Sequence, residues 1–349
     1  MRRTSLYFTS RNEVELIHED TEPVRRGQVL VEAIVSAISA GTELMFLRGE
    51  VPRDMGVDES IGSLSREPLR YPLKYGYAMV GRVSKVGVDV DPGLLGRTVF
   101  AFHPHESRFV ASPESLIVLP DDIPPEKAAL LPTMETALSL VMDARPVVGE
   151  RVVVVGLGMV GLLTAHLLAS MSPGRLVCTD LLKVRRDLAL RLGAHAVVDG
   201  ATRDSVDSIR AELSKAPGGD DEADADLVIE LSGHPSGLDV AIDAVGFDGR
   251  VIVGSWYGTK PFSARSLGGD FHRRHIEVRS SQVSRLNPRW TGRWTKRRRL
   301  ATALALLARL DHTPLITHRL PLARAAEAYA ALANDSQSTL QVLIAYEES

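Results

Sequence analysis

One cysteine, Cys178, is all that the 349 residues contain. Intramolecular disulfides are therefore excluded, and so is a structural zinc site built from cysteine thiolates. No apolar run approaches the ~20 residues that span a bilayer, and the opening stretch MRRTSLYFTSRNEVELIHED is too polar for a secretory leader. The expectation is a cytoplasmic protein with no membrane partner. A strong charge of either sign is missing too: 41 Lys and Arg stand against 44 Asp and Glu, a net charge of −3, which argues against a nucleic-acid binder. No internal repeat is present.

What the chain has is the make-up of an ordinary globular protein, 44% hydrophobic and 24% charged, at a length that points to two domains. Its charge is unevenly placed. Residues 270–299 hold ten Lys or Arg against two acids, Asp270 and Glu277, whereas the stretch from Asp199 to Asp226 is strongly acidic. Such runs are commonly solvated surface; the alternative is that the basic segment attracts an anionic substrate.

Up to about residue 125 the pattern is one of short β segments punctuated by Gly and Pro, among them 28–36, 78–86 and 97–102. This is the texture of a barrel-like β domain. Asp121-Asp122-Ile123-Pro124-Pro125-Glu126 forms a hinge that opens a helix through 128–131 and, past Pro132, through 136–142. From Arg151 the elements alternate, with strands at 152–155, 176–179, 196–198, 227–231, 250–254 and 276–280 and helices at 159–170, 183–192 and 236–245. Alternation of this kind implies a parallel sheet with helices on both faces. Residues 218–222 read as an acidic surface loop, 296–310 and 322–332 as helices, and 339–346 as a closing strand.

The sharpest motif is a valine run, 152–155, ending in Gly156-Leu157-Gly158-Met159-Val160-Gly161 and continuing into an apolar helix. Strand, glycine turn and helix start in that order are what a dinucleotide-binding βαβ unit requires. Gly156 permits the turn, Gly158 admits a pyrophosphate against the backbone, and Gly161 lets helix and strand pack, while the helix N-terminus offers free N–H groups to the phosphates. The next strand ends in Asp180, 19 positions after Gly161. A carboxylate there accepts hydrogen bonds from ribose hydroxyls and repels a 2′-phosphate, so the expected cofactor is NAD rather than NADP. A glycine turn in an unrelated α/β protein is the alternative.

Further segments extend the pattern along the chain: Gly27-Gln28-Val29-Leu30-Val31-Glu32, Gly41-Thr42-Glu43, Pro72-Leu73-Lys74-Tyr75-Gly76-Tyr77 and Pro146-Val147-Val148-Gly149-Glu150. With the order of a β domain, a Rossmann domain and a C-terminal return to the first, they resemble the medium-chain dehydrogenase/reductase (alcohol dehydrogenase-like) superfamily nearly end to end. The resemblance implies an α/β fold: a GroES-like β-barrel catalytic domain at 1–131, a Rossmann doubly wound parallel-sheet NAD-binding domain at 132–281, and a return to the catalytic domain at 282–349. In zinc-dependent members a Cys precedes the Thr-Glu pair, a His-Glu follows the glycine, and a second Cys sits on the hinge helix. Here those places hold Ser39 or Ala40, then Tyr77 and Ala78, then Leu131 or its neighbours. None replaces a thiolate or imidazole, so the expectation is a zinc-free branch with no metal. Gly41-Thr42-Glu43 resembles the turn of bacteriochlorophyllide dehydrogenase-type members, although their substrate is not carried over.

Without zinc, a positioned donor must stabilise charge on the substrate oxygen during hydride transfer. By resemblance Tyr77 is the first candidate, and Lys74, three residues earlier, is expected to lower its pKa; the competing role for Tyr77 is packing. Thr42 and Glu43 stand where the family has its relay hydroxyl and adjacent acid, or form a helix-start pair. Glu135 is a candidate base or a structural partner. His103 and His105 have an H-x-H spacing without a third ligand, which reads as a cleft wall or a solvent-exposed pair, with His103 a further catalytic candidate. On the cofactor side the resemblance assigns Thr136, Arg185 beside the adenosine ribose, and Ser232, Ser255, Trp256, Ser280 and Ser281 around the nicotinamide. His272 and Arg285 are candidates for holding a carboxylate or phosphate, as is the run 293–299, unless 296–299 is only the exposed first turn of a helix.

The first functional reading is a zinc-independent, NAD-linked oxidoreductase that interconverts a secondary alcohol and a ketone on a polar or anionic small molecule. An NADPH-dependent enone or quinone reductase and a non-catalytic dinucleotide sensor are the alternatives. Homodimers or tetramers are expected by resemblance, through apolar edge material at 251–253 and Val278.

Overall fold

The computed structural model describes every residue except 53, 59, 65, 219–222, 263–264 and 347–349. The acidic loop expected at 218–222 thus lies, but for Gly218, outside the described residues. Two compact units divide the chain, Met1–Pro132 with Leu304–Ser349, and Thr133–Ala303.

The first unit begins with a hairpin absent from the sequence reading, β1 (Arg2–Ser10) and β2 (Glu13–Asp20). Then follow β3 (Val29–Ala37), α1 (Ala40–Arg48), β4 (Leu73–Lys74), β5 (Met79–Val86), β6 (Thr98–Ala101), β7 (Arg108–Ala111), β8 (Leu116–Val118), α2 (Pro125–Ala128) and then α3 (Leu131–Ala144), which belongs to the second unit from Thr133 on. The second unit takes over with β9 (Arg151–Val155), α4 (Met159–Ala169), β10 (Arg175–Asp180), α5 (Lys183–Arg191), β11 (Ala196–Asp199), α6 (Ser205–Leu213), β12 (Ala225–Glu230), α7 (Pro235–Ala244), β13 (Val245–Val253), β14 (Glu277–Ser280) and α8 (Lys296–Arg309). The chain returns to the first unit as β15 (Ile316–Pro321), α9 (Ala325–Asn334) and β16 (Gln341–Ala345). Helix α6 was hidden from the sequence reading by its acidic surroundings; only Ser205, Ile209 and Leu213 of it are buried.

In the first unit the main sheet runs β15-β16-β3-β5-β6-β8, with β7 also paired to β3, and a small sheet runs β2-β1-β4. Strand β3 is central because its apolar residues are buried on both faces, Val29, Val31 and Val35 completely. In the second unit the order is β11-β10-β9-β12-β13-β14, all parallel. That is the doubly wound order whose direction reverses between β9 and β12, and ligands bind beyond the carboxyl ends of strands at such a reversal. Val251 and Ile252 are fully buried inside this sheet between β12 and β14, so they are not the edge material expected for dimerisation; only β14, with a partly exposed Val278, forms that edge. Cys178 is also buried, and desolvation pushes its thiol up to about 12, leaving it unreactive. Among the described residues no helix is long and apolar enough to cross a membrane.

Candidate active site

The glycine loop of the second unit is fitted atom by atom. Gly156 has φ +90°, and a Cβ on it would meet the Ser232 backbone at 2.5 Å; a Cβ on Gly161 would meet the Gly156 carbonyl oxygen at 2.0 Å. Both positions are closed to any larger residue. A Cβ on Gly158 would meet nothing within 4 Å, so the backbone there is open where α4 begins and its first N–H groups lack intrahelical partners. This is a cradle of the right kind for a pyrophosphate.

Asp180 ends β10 beside that loop. Its Oδ2 accepts the Leu157 N–H at 2.7 Å and its Oδ1 accepts the Leu182 N–H at 2.8 Å. Two backbone donors thus fix the carboxylate, and the remaining lone pairs are free to take ribose hydroxyls. Arg185 is half-buried on α5, its Nε buried without a hydrogen-bond partner. The arginine that holds the end of β10 is its neighbour, which the sequence reading passed over: Arg186 donates to the Asp180 carbonyl at 2.8 Å and pairs with Asp199 at 2.8 Å.

Across the reversal point, β12 ends in Glu230, fully buried and likewise missed in the sequence. Its Oε1 accepts the Ser232 N–H at 2.7 Å and its Oε2 the Tyr257 hydroxyl at 2.6 Å. Burial, then the Glu230 charge, drive the Tyr257 phenol far above its ordinary range. Ser255 accepts the Gly233 N–H at 2.8 Å, and Ser281 donates to Asp143 at 2.7 Å. Ser232, Ser255, Trp256, Ser280 and Ser281 therefore all lie at the carboxyl end of this sheet, several of them already shaping its loops. Thr136 is half-buried on α3.

Two expectations for this unit change. Glu135 is 2% exposed and takes Arg299 Nε at 3.1 Å and Nη2 at 2.9 Å on one oxygen. Burial raises its pKa against the pull of Arg299. It is an ion-paired strut rather than an open base, and Arg299, itself 2% exposed, is not part of an exposed first turn. This pair also accounts for the packing of 282–303 with the second unit. His272 is exposed in the segment that enters β14, where Arg274 reaches Asp224 and the Val245 carbonyl at the amino ends of β12 and β13. A residue there is at the opposite end of the sheet from the glycine loop and cannot serve a substrate at that loop. Arg285, exposed and just past β14, is at the carboxyl end.

The first unit holds a separate cluster. Tyr77 donates to the Ser39 hydroxyl in a short hydrogen bond, and the Thr42 hydroxyl adds a second contact. Burial pushes the Tyr77 phenol up to about 12 despite the opposing pull of those two hydroxyls. Ser39 is the residue before α1, and its N–H donates to Glu43 Oε1 at 2.7 Å. Glu43 is fully buried: its Oε2 lies 3.0 Å from His105 Nε2 and also accepts the Tyr329 hydroxyl. His105 Nδ1 is 2.7 Å from Ser36 Oγ, which is 2.9 Å from the Tyr346 hydroxyl. Glu43 is thus a positioning residue beneath Ser39, and His105, with 0% exposure, is neither a cleft wall nor a solvent-exposed residue.

Lys74 does not serve Tyr77. Its ammonium lies 2.7 Å from Glu19 and 2.9 Å from Glu106, while Gly76, at φ +115° and packed so that a Cβ would meet the His105 ring at 2.5 Å, turns the chain between the two residues. His103 joins that second network through Glu106 at 2.5 Å, stacked on Phe109. Against desolvation, which raises it, the His103 hydrogen bond and the Lys74 charge pull Glu106 down to about 2. Arg3, Lys74, His103 and Glu106 line a pocket of about 220 Å³. The structure therefore brings together Ser39, Thr42, Glu43 and Tyr77, and separates Lys74 and His103 from them by their partners. Among the described residues no three His, Cys, Asp or Glu side chains are grouped to hold a metal ion.

Residues 149–301 match a family described as zinc-binding dehydrogenase. That span lies in the second unit and includes none of Ser39, Thr42, Glu43 and Tyr77. An L-threonine 3-dehydrogenase of Saccharopolyspora erythraea is 28% identical over 210 residues, covering 60% of this chain and 55% of that protein. The match thus spans about half the length of the threonine dehydrogenases of Saccharopolyspora erythraea and Aeromonas hydrophila. A D-guloside 3-dehydrogenase of Escherichia coli K12 is 24% identical over 318 residues, 86% of this chain and 87% of that protein. In fold the chain is similar to a short chain alcohol dehydrogenase of Escherichia coli CFT073 complexed with NADH, with a TM-score of 0.76, 17% identity and coverage of 99% of both chains.

Proposed function

We propose that the chain, a member of the medium-chain dehydrogenase/reductase superfamily by its similarity to these dehydrogenases, is an NAD-linked oxidoreductase interconverting a secondary alcohol and a ketone without a catalytic zinc. The substrate is a polar or anionic small molecule. One observation carries the metal-free part: Ser39 and Tyr77, which stand where the resemblance puts zinc ligands, direct their hydroxyls at each other. A phenol donating to a serine hydroxyl is not the thiolate and imidazole set that a tetrahedral zinc takes, so these residues do not fit the metal.

Reduction of the ketone adds a hydride to the carbonyl carbon and a proton to its oxygen as the C=O π pair moves to that oxygen. The dinucleotide, when bound, supplies the hydride and takes it back in the reverse direction. The chain's residues do the rest. The glycine loop holds the pyrophosphate, and Asp180 holds the ribose hydroxyls and repels a 2′-phosphate. Tyr77, held at about 12, is a neutral phenol at physiological pH; its one proton, given to Ser39 in the free protein, turns to the carbonyl oxygen and is donated there. Ser39 and Thr42 stabilise the phenolate left behind by hydrogen bonding to it. A homodimer through the β14 edge completes the proposal, and a monomer by light scattering at micromolar concentration overturns that part.

The test is a fluorescence titration of metal-analysed protein with NADH and NADPH, repeated with Asp180→Ala and Tyr77→Phe. Tighter NADH binding that Asp180→Ala abolishes, with turnover but not NADH affinity lost in Tyr77→Phe and no bound zinc, supports the reading. NADPH preference moves it to an enone reductase, and stoichiometric zinc that is required for turnover overturns the metal-free mechanism.

A further inference from the structure

We infer that residues 285–298 of the second unit form a binding site for neighbouring phosphate groups, and that the substrate is accordingly a diphosphate-bearing alcohol; the word substrate rests on the reading above, the site does not. Between 278 and 310 the sequence has no Asp or Glu, yet 285–299 holds Arg285, Arg289, Arg293, Lys296, Arg297, Arg298 and Arg299. Arg299 is neutralised by Glu135. Arg289, Arg293, Arg297 and Arg298 form no ion pair among the described residues, although pairs flank them at Arg279 and Arg299.

Two of these arginines, Arg293 and Arg298, are nevertheless ordered. Arg293 lies 5.2 Å over the Trp290 ring and Arg298 lies 4.2 Å over the Trp294 ring. The Trp294 N–H closes a turn on the Trp290 carbonyl at 2.8 Å, and Arg298 Nη1 donates to the Arg293 carbonyl at 2.6 Å. Aromatic faces orient the guanidinium groups where acids are absent, so their charge is held in place without being cancelled. Like charges this near in sequence repel one another, and basic side chains at the start of α8 oppose its dipole; a polyanion relieves both. Planar guanidinium groups match phosphate oxygens two at a time, and several arginines within ten positions suit adjacent phosphates better than one carboxylate.

Placement separates this site from the cofactor's own phosphates. The segment leaves the carboxyl end of β14, the end at which the glycine loop and Glu230 lie. Strands β12 and β13 stand between it and β9, and Asp180 is on the other side of β9, on β10. A single short patch on a chain of net charge −3 fits a small polyanion rather than a nucleic-acid duplex.

Trp290 and Trp294 report on the site directly, because Trp256 is the only other tryptophan. In a Trp256→Phe background, fluorescence is titrated with inorganic pyrophosphate, uridine diphosphate and glucose 1-phosphate. A saturable change with pyrophosphate and uridine diphosphate, at least tenfold weaker with the monophosphate and at least tenfold weaker in Arg289→Gln/Arg297→Gln, is expected; equal affinity for the first two identifies the phosphates alone as the ligand, and tighter uridine diphosphate a nucleoside-linked one. No saturable change, or an unaltered one in the double variant, overturns the inference. Saturation only by single-stranded oligonucleotide or by phosphatidylserine vesicles overturns it in favour of that partner. NADH titration of Arg289→Gln/Arg297→Gln on the wild-type background, expected within twofold of the parent, keeps the two readings apart: NADH binding without pyrophosphate binding removes this site and leaves the proposed function, and the converse leaves the site and removes the function.

Discussion

His103 and His105 are two positions apart, and the first unit uses them in opposite ways. His105 sits at 0% exposure against Glu43, also at 0%, with every polar atom of the pair engaged by Ser36, Ser39 or Tyr329. His103, 18% exposed, bonds directly to Glu106, 2% exposed, in the wall of a pocket where Lys74 and Arg3 share the same carboxylate. A buried pair has no solvent to replace a lost partner, whereas a pocket network has both water and a second cation. The same chemical pair is thus rigid scaffolding in one place and an adaptable charge cluster in the other.

The strongest way to break the contrast is Glu43→Ala, which strands the His105 ring, the Tyr329 hydroxyl and the Ser39 N–H in the interior. A loss of about 4 kcal/mol is expected from urea unfolding, by analogy with broken buried pairs; a loss no larger than that of a pocket variant would erase the distinction. The second unit offers a control in Glu135 and Arg299. Glu135→Ala should cost about 3 kcal/mol, while the double change Glu135→Leu with Arg299→Met should recover most of it. Glu106→Gln comes next, at about 2 kcal/mol, because Lys74 keeps Glu19 as an alternative partner.

Acid sharpens the same comparison. Glu106 and Glu19 are both held at about 2 in the fold against an ordinary 4.5. A carboxylate depressed in the native state stabilises it above its unfolded pKa, and that stability is lost as pH falls toward the folded value. Unfolding midpoints in urea should therefore drop as pH falls from 4.5 to about 2, by less in Glu106→Gln. His103→Ala is the mildest change, at about 1 kcal/mol or less, and a larger effect would mean that the pocket pair behaves like the buried one.

The sequence disclosed what is local. Residues 152–161 carry strand, turn and helix start within one short stretch, and the structure places Gly156 and Gly161 against the backbone atoms that exclude a side chain. The same holds for strand and helix order through the second unit, apart from α6. Long-range partners were invisible: Glu43 meets His105 across 62 positions and Tyr329 across 286, and no spacing rule reaches that far. Lys74 and Tyr77 failed for a local reason, since proximity in sequence says little across a glycine at φ +115°. The H-x-H pair came apart because 102–104 is not a strand, so that His103 lines a pocket while His105 is buried. His272 failed because its place before β14 rather than after it decides which end of the sheet it occupies.

Tyr329 and Tyr346, which hold Glu43 and Ser36, come from the chain's return to the first unit. A ribosome delivers them only after the whole second unit has emerged. Until then Glu43 and His105 face a cavity that the later residues are to fill, and the Tyr77 hydroxyl cluster rests on an unfinished floor. The second unit, contiguous from Thr133 to Ala303, meets no such delay. During synthesis the glycine loop is therefore complete before the Tyr77 hydroxyl cluster, so a nascent chain has the proposed cofactor cradle before it has the proposed proton donor.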